Sequence, residues 1–162
     1  MPLGNSVTEL HQGSSSYRCW MWKELADSGF CFNLVGSRTG VWLSPPRGQT
    51  QSACPYEAFD ENHEGHYGWC ADELLYGATR PLFAYPGTLS EWLPVNTPDI
   101  VLLHIGTNDI DLGHGAHATA NETGFIIDTL NGLIPGVIAA KQSQTSPLHV
   151  VDQHSASIRQ PT

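Results

Sequence analysis

The stretch 101-VLLHIGTND-109 governs how the rest of this chain is read. Its almost uninterrupted apolar run follows Pro98 and Asp99, the pattern of a strand buried on both faces of a parallel sheet, and Gly106 permits a sharp turn at its end. Asn108 therefore stands just past a strand's C-terminal end. Open α/β sheets bind ligands at that edge, where a side-chain amide can donate to an oxygen that becomes negative during a reaction. Gly, Thr, Asn and Asp are also turn formers, so in isolation the stretch reads first as a tight turn.

Working outward, Met1 to Leu3 reads as the end of a strand and Gly4-Asn5-Ser6 as the turn leaving it. Ser14, Ser15 or Ser16 caps a helix carrying Tyr17, Cys19, Trp20, Met21 and Leu25, and Gly29 suits its end. Phe30 to Val35 is a second apolar run closing at Gly36, so strand, helix and strand form a right-handed crossover unit and the fold class is α/β. Ser37 to Trp69, rich in Gly, Pro, Ser and Gln, reads as a long functional or poorly ordered loop. Ala71 to Tyr76 is a short helix, and Thr88 caps another through Trp92. Beyond the central stretch, Asp111 to Ala118 is a loop and Asn121 to Leu130 a helix with Phe125, Ile126 and Leu130 inward. Asn131-Gly132 then signals a stop, Pro135 opens a further helix, Leu148 to Asp152 is a last strand and Ser155 to Thr162 a polar tail.

A length of 162 residues with 40% hydrophobic content suits one domain. The net charge of -9, with only 7 Lys and Arg, argues against nucleic acid and favours neutral or polar small substrates. No run approaches the roughly 18 apolar residues of a membrane helix, and no basic and then apolar leader follows Met1. Cys19, Cys31, Cys54 and Cys70 include no C-x-x-C pair, which argues against a zinc knuckle. Buried thiols are one reading of the four. The other is a Cys54–Cys70 disulfide across the loop-rich segment in an oxidising compartment, where the Asn121-Glu122-Thr123 sequon would also matter.

Three blocks in order resemble a known family. Met1-Pro2-Leu3-Gly4-Asn5-Ser6-Val7-Thr8 is similar to the M-P-L-G-D-S-I-T start of SGNH (GDSL-type) hydrolases, Phe32 to Ser37 to their second block, and Gly106-Thr107-Asn108-Asp109 to their G-x-N-D block. His63-Glu64-Gly65-His66-Tyr67-Gly68-Trp69 resembles a stretch of the acetyl xylan esterases of carbohydrate esterase family 3. The resemblance implies a three-layer α/β/α sandwich with a parallel sheet, and acyl transfer without cofactor or metal. Ser6 is the implied nucleophile, and the Ser6 and Gly36 N–H groups with the Asn108 amide are the implied oxyanion donors. The implied partner is a small ester or acetylated carbohydrate, and such enzymes are typically secreted.

The chain departs from the pattern in three ways. Asn5 stands where the family has Asp, which keeps the shape and loses the charge. The implied D-x-x-H block with the catalytic base is absent near the C-terminus, and the Asp60–His63 and Asp111–His114 matches come too early. The run Asn131 to Pro135 resembles the helix after a strand not seen here, so one strand of the sheet is expected to be missing and the single domain 1–162 incomplete at both ends. A last strand shifted into that slot would carry Asp152 and His154 to the Ser6 edge as a substitute dyad. Histidine pairs in the loops, His63 with His66 and His114 with His117, are read as solvated rather than metal-bound. The rival reading is a non-catalytic module in which the five Trp residues, with Tyr56 and Tyr67, stack on sugar rings or meet a partner.

Overall fold

The computed structural model describes residues 1–44, 48–80, 86–141 and 149–151. In chain order its elements are β1 (Pro2–Gly4), α1 (Ser6–Glu9), α2 (Tyr17–Asp27), β2 (Arg38–Thr39), β3 (Val41–Leu43), β4 (Gly48–Thr50), β5 (Asn62–Gly65), α3 (Ala71–Tyr76), α4 (Leu89–Trp92), β6 (Ile100–His104), α5 (Thr107–Asp111), α6 (Ala116–Leu133), β7 (Ile138–Lys141) and β8 (His149–Val151). Six strands form one sheet in the order β2-β5-β1-β6-β7-β8, and β3 with β4 makes a separate hairpin. Strands β5, β1, β6 and β7 run parallel, while β2 and β8 are antiparallel edges. The α/β class follows.

Strand alternation divides the core. Leu3, Val101, Leu103 and Ala139 point to the face covered by α3, α4 and α6, where Trp69, Leu74, Leu89, Leu93, Ile126 and Leu130 complete one apolar cluster. Helix α6 reaches that cluster through Thr119, Thr123, Ile126 and Leu130, spaced at the helical period. Its two buried threonines donate to carbonyls four residues back, at 2.9 and 2.7 Å, so no hydroxyl is left unpaired. On the other face Pro2, Leu102, His104 and Ala140 line a cavity of about 810 Å³, bounded by Tyr17, Met21 and Leu25 of α2 and by residues 30–35.

Several expectations hold. Helix α2 begins at Ser16, whose side chain accepts from the Arg18 N–H, and α3 and α4 occupy the predicted residues. Others do not. Phe30 to Val35 is not a strand: the place beside β1 is taken by β5, and the Leu34 N–H turns instead to Asp60 Oδ2 at 2.8 Å. The segment 37–69 is not structureless but carries β2 through β5. Helix α6 starts at Ala116 and runs through Asn131-Gly132; burial of Leu130 at 0% exposure outweighs a helical glycine's cost of about 1 kcal/mol. Phe125 points outward, 56% exposed, as does Trp20 in α2 at 53%.

No helix opens at Pro135. Pro135 and Gly136 end α6, and Ile138 to Lys141 pair with Ile100 to Leu103, so a parallel strand occupies the slot expected to be empty. The disulfide joins Cys19 and Cys54, leaving Cys70 buried and Cys31 exposed as free thiols. It staples α2 to the loop beneath it, beside a small cluster of Cys19, Leu34 and Phe59. No helix among the described residues is long and apolar enough to cross a membrane.

Candidate active site

Three parallel strands end together. Gly4 pairs with Gly65 on one side and His104 on the other, so the chain leaves β1, β5 and β6 at one edge of the sheet. A Cβ on Gly4 would lie 2.0 Å from the His104 carbonyl oxygen, which explains glycine at that crossing. The Asn5 N–H donates to that same carbonyl at 3.3 Å, and the Asn5 side-chain oxygen accepts from the Val7 N–H at 3.1 Å, capping α1. The capping acceptor that an aspartate would provide is therefore preserved. The Asn5 amide nitrogen, fully buried, has no partner among the described residues, so the substitution leaves a donor unsatisfied where a carboxylate has none. Ser6 is the first residue of α1 and is half-buried.

At the end of β6, Gly106 takes φ +106, a conformation that frees the chain to turn directly into α5. Asn108 lies one residue inside α5, half-buried, and one of its two amide hydrogens goes to the Trp69 carbonyl at 2.6 Å. Asp109 is fully buried and its Oδ1 accepts from the Ala71 N–H at 2.9 Å. The turn that carries Asn108 is thus strapped to residues 69–71.

Strand β5 supplies the neighbouring groups. Just after it, the His66 N–H donates to the Gly4 carbonyl at 2.8 Å, and the His66 ring stacks near both Trp69 and Trp92, with centroids 4.3 and 4.5 Å away. His66 Nε2 meets Glu64 Oε1 at 2.8 Å, while the Ser37 N–H and hydroxyl each donate to the same carboxylate at 2.7 Å. Burial lowers the His66 pKa and Glu64 opposes that shift. Gly36 is held beside β5: a Cβ there would fall 2.1 Å from the His63 backbone. A side chain at 36 would meet this β5 backbone, which accounts for the glycine. The glycine in register with Gly4 is Gly65, whose N–H donates to His63 Nδ1 at 2.9 Å.

A polar hub under α1 had no counterpart in the sequence reading. Arg18, fully buried and lowered by burial to about 10, donates to the carbonyls of Thr8 at 2.9 Å, Glu61 at 2.7 Å and Gly40 at 2.5 Å, and to Ser16 Oγ at 2.8 Å. Glu9, also fully buried, pairs with Arg38 and accepts from the Tyr67 N–H; burial pushes its carboxyl up while Arg38 pulls it down. The only cue was an arginine amid the apolar residues of α2, and a glutamate two residues before His11.

The expected loop histidines His63 and His66 are not solvated; they are 0% and 1% exposed. Strand β8 runs antiparallel to β7, pairing Val151 with Ala139, so it heads toward the opposite edge from Ser6. Asp152 and His154, expected as a substitute dyad, lie outside the described residues. Among the described residues, no histidine hydrogen-bonds Ser6.

No family model matches the chain. Its fold is similar to a mutant acetyl esterase crystallised with acetate ion (TM-score 0.65, 25% identity, 87% of this chain and 59% of that one). It is also similar to a carbohydrate esterase family 3 protein from Talaromyces cellulolyticus (0.64, 26%, 87% and 59%) and a family 3 carbohydrate esterase from Clostridium thermocellum (0.63, 29%, 86% and 57%). A multidomain esterase from Ruminococcus flavefaciens is 31% identical over 120 residues, 70% of this chain and 15% of that protein. The chain thus spans less than two thirds of each relative. In fold and in sequence the chain is similar to esterases of carbohydrate esterase family 3.

Proposed function

We propose that this chain carries the nucleophile and oxyanion half of a serine esterase site acting on acetyl or other short acyl esters of a carbohydrate such as xylan. The observation that carries the reading is the shared edge: Ser6 and Asn108 follow the ends of adjacent parallel strands that are in register at Gly4 and His104. Ser6 Oγ attacks the ester carbonyl, and the Ser6 N–H and the second Asn108 amide hydrogen donate to the resulting oxyanion. Gly65, at the corresponding end of β5, takes the place first given to Gly36, and an incoming oxyanion competes with His63 for its N–H. The relatives named as acetyl or carbohydrate esterases support the substrate class.

Among the described residues no histidine hydrogen-bonds Ser6, so attack by Ser6 Oγ is expected to be slow unless a base is supplied. Hydrolysis of an activated acetate ester tests this: Ser6→Ala lowers the rate to what binding and the oxyanion donors alone supply, and Asn108→Ala loses about 10²–10³ of any acceleration. Equal rates for wild type and Ser6→Ala would overturn the assignment.

One observation favours sugar binding as a second reading. Trp42 and Tyr67 stack at 4.4 Å, both half-buried, and the Trp42 N–H donates to the Leu10 carbonyl just after α1. Aromatic faces flanking the Ser6 helix suit a pyranose ring. Xylan binding that survives Ser6→Ala and is lost in Trp42→Ala supports it, whereas binding that Trp42→Ala leaves intact counts against it.

A further inference from the structure

The junction of α3, α5 and α6 gathers groups that the esterase chemistry does not use. Cys70, the residue before α3, is buried and free; Asp109 comes from α5, and His114 from the turn between α5 and α6. The Cys70 Sγ, an Asp109 carboxylate oxygen and a His114 ring nitrogen all lie within 4.8 Å of one another, with His114 Nδ1 4.0 Å from Asp109 Oδ1. Asp72 brings a carboxylate within the same reach of Cys70.

Hydrogen bonding leaves this cluster incomplete. Asp109 is fully buried; its Oδ1 is used by Ala71, but its Oδ2 has no partner among the described residues. Asp72 Oδ1 and Glu122 Oε2 are likewise buried without a partner, and Glu122 feels both Asp72 and Asp109, which with burial raise its carboxyl pKa while His114 opposes them. Glu73 does not share the deficit, because Arg80 and the Cys70 and Thr79 N–H groups satisfy it. Arg80 also lies 3.6 Å from Cys70 Sγ, but its charge is matched by Glu73. Carboxylate oxygens from three elements thus converge with little positive charge to meet them, an arrangement that costs free energy unless a proton shared by Glu122 and Asp109 or a bound cation neutralises it.

We propose that Cys70, Asp109 and His114 form a binding site for a divalent cation of the zinc class. One thiolate, one imidazole and one carboxylate match the borderline-soft preference of Zn²⁺ and leave a fourth position open, whereas Ca²⁺ and Mg²⁺ take oxygen donors. The Cys70 thiol is pushed up to about 12, by burial first and then by Asp109, so it holds its proton at neutral pH. Binding therefore exchanges that proton for the metal: the S–H bond breaks, a metal–sulfur bond forms and one H⁺ goes to solvent. A bound ion ties Asp109 to α3 and steadies the turn that presents Asn108.

The full chain in a Cys31→Ser background is titrated with Co²⁺ and Zn²⁺. The expected result is a saturable one-to-one thiolate-to-Co²⁺ charge-transfer band, displaced by Zn²⁺, and a rise in Tm with Zn²⁺ but not with Ca²⁺. Cys70→Ser removes the band, and His114→Ala weakens Zn²⁺ binding by at least about tenfold, in line with lost ligation. The His114 side chain is 39% exposed, so this variant keeps the test valid even where Cys70→Ser fails to fold. Absence of the band at saturating Co²⁺ overturns the site. So does a Tm rise that is the same in His114→Ala, or one produced by Ca²⁺ alone.

Discussion

The two faces of the sheet are built differently. On one, Leu3, Val101 and Leu103 are sealed under α3, α4 and α6 with 0–1% exposure. On the other, Pro2, Leu102 and His104 face a cavity of about 810 Å³ beneath α2, and Ile100 is 49% exposed. The first face holds its helices by apolar burial. The second holds α2 by a disulfide and by the Arg18 hub, whose donors reach backbone carbonyls from α1, Gly40 and Glu61. The same polar tether that anchors α2 also supports α1, the helix that starts at Ser6.

The largest expected effect separates the faces with neighbouring residues. Leu103→Ala empties a filled site and is expected to cost about 2–5 kcal/mol, while Leu102→Ala enlarges space already open and costs less than about 1.5 kcal/mol. Urea unfolding of both variants measures the gap, and similar losses would show that the second face contributes as much packing as the first. The next effect concerns the tether. Arg18→Met keeps the aliphatic volume but strands several buried carbonyls, for an expected loss of about 1.5–3 kcal/mol. Because Arg18 binds the Thr8 carbonyl in α1, this variant should also lower any Ser6-dependent ester hydrolysis, whereas Leu102→Ala should not.

The same contrast explains what could be read from the sequence. The β6 stretch was legible because a nearly continuous apolar run marks a strand inside a parallel sheet, although only its Val101 and Leu103 face is sealed, and the caps of α2 and α4 because Ser16 and Thr88 act within one turn. Ser6 and Asn108 were legible as ends of such elements. The strand partner of β1 was not: Phe30 to Val35 has the better strand composition, yet Asn62-His63-Glu64-Gly65 forms β5. Its polar residues are paid for by distant partners, Ser37 for Glu64 and the Trp69 and Trp92 rings for His66, and such non-local pairing leaves no periodic trace. Strand β7 was hidden similarly, since Pro135 can open a helix or follow one, and only the slot beside β6 decides.

The smallest expected effect is a pH dependence that locates the buried charge. Burial lowers the pKa of His63 well below its usual value of 6.5, with Arg18 and Arg38 adding to the shift, and burial also lowers those of His66 and His104. The unfolded chain then binds more protons than the folded one below pH 6.5, so this stability is fully present above 6.5 and is lost as the pH falls toward the folded values. The slope is at most about 1.4 kcal/mol per pH unit for each histidine. The raised carboxyls of Glu9 and Glu122 act oppositely, since the folded chain holds their protons more tightly, but their window starts from 4.5 and leaves the histidines, together with the Met1 amino group that burial lowers to about 6, dominant just below neutrality. Chemical denaturation should therefore give a lower unfolding free energy near pH 6 than near pH 7.5. His63→Gln, which keeps an acceptor for the Gly65 N–H, should flatten that slope more than His104→Gln, because His104 borders the open cavity and is 9% exposed while His63 is fully buried. A stability that rises on acidification over this range would mean that water already reaches the β5 histidines, and that the edge carrying Ser6 is as open as the face beneath α2.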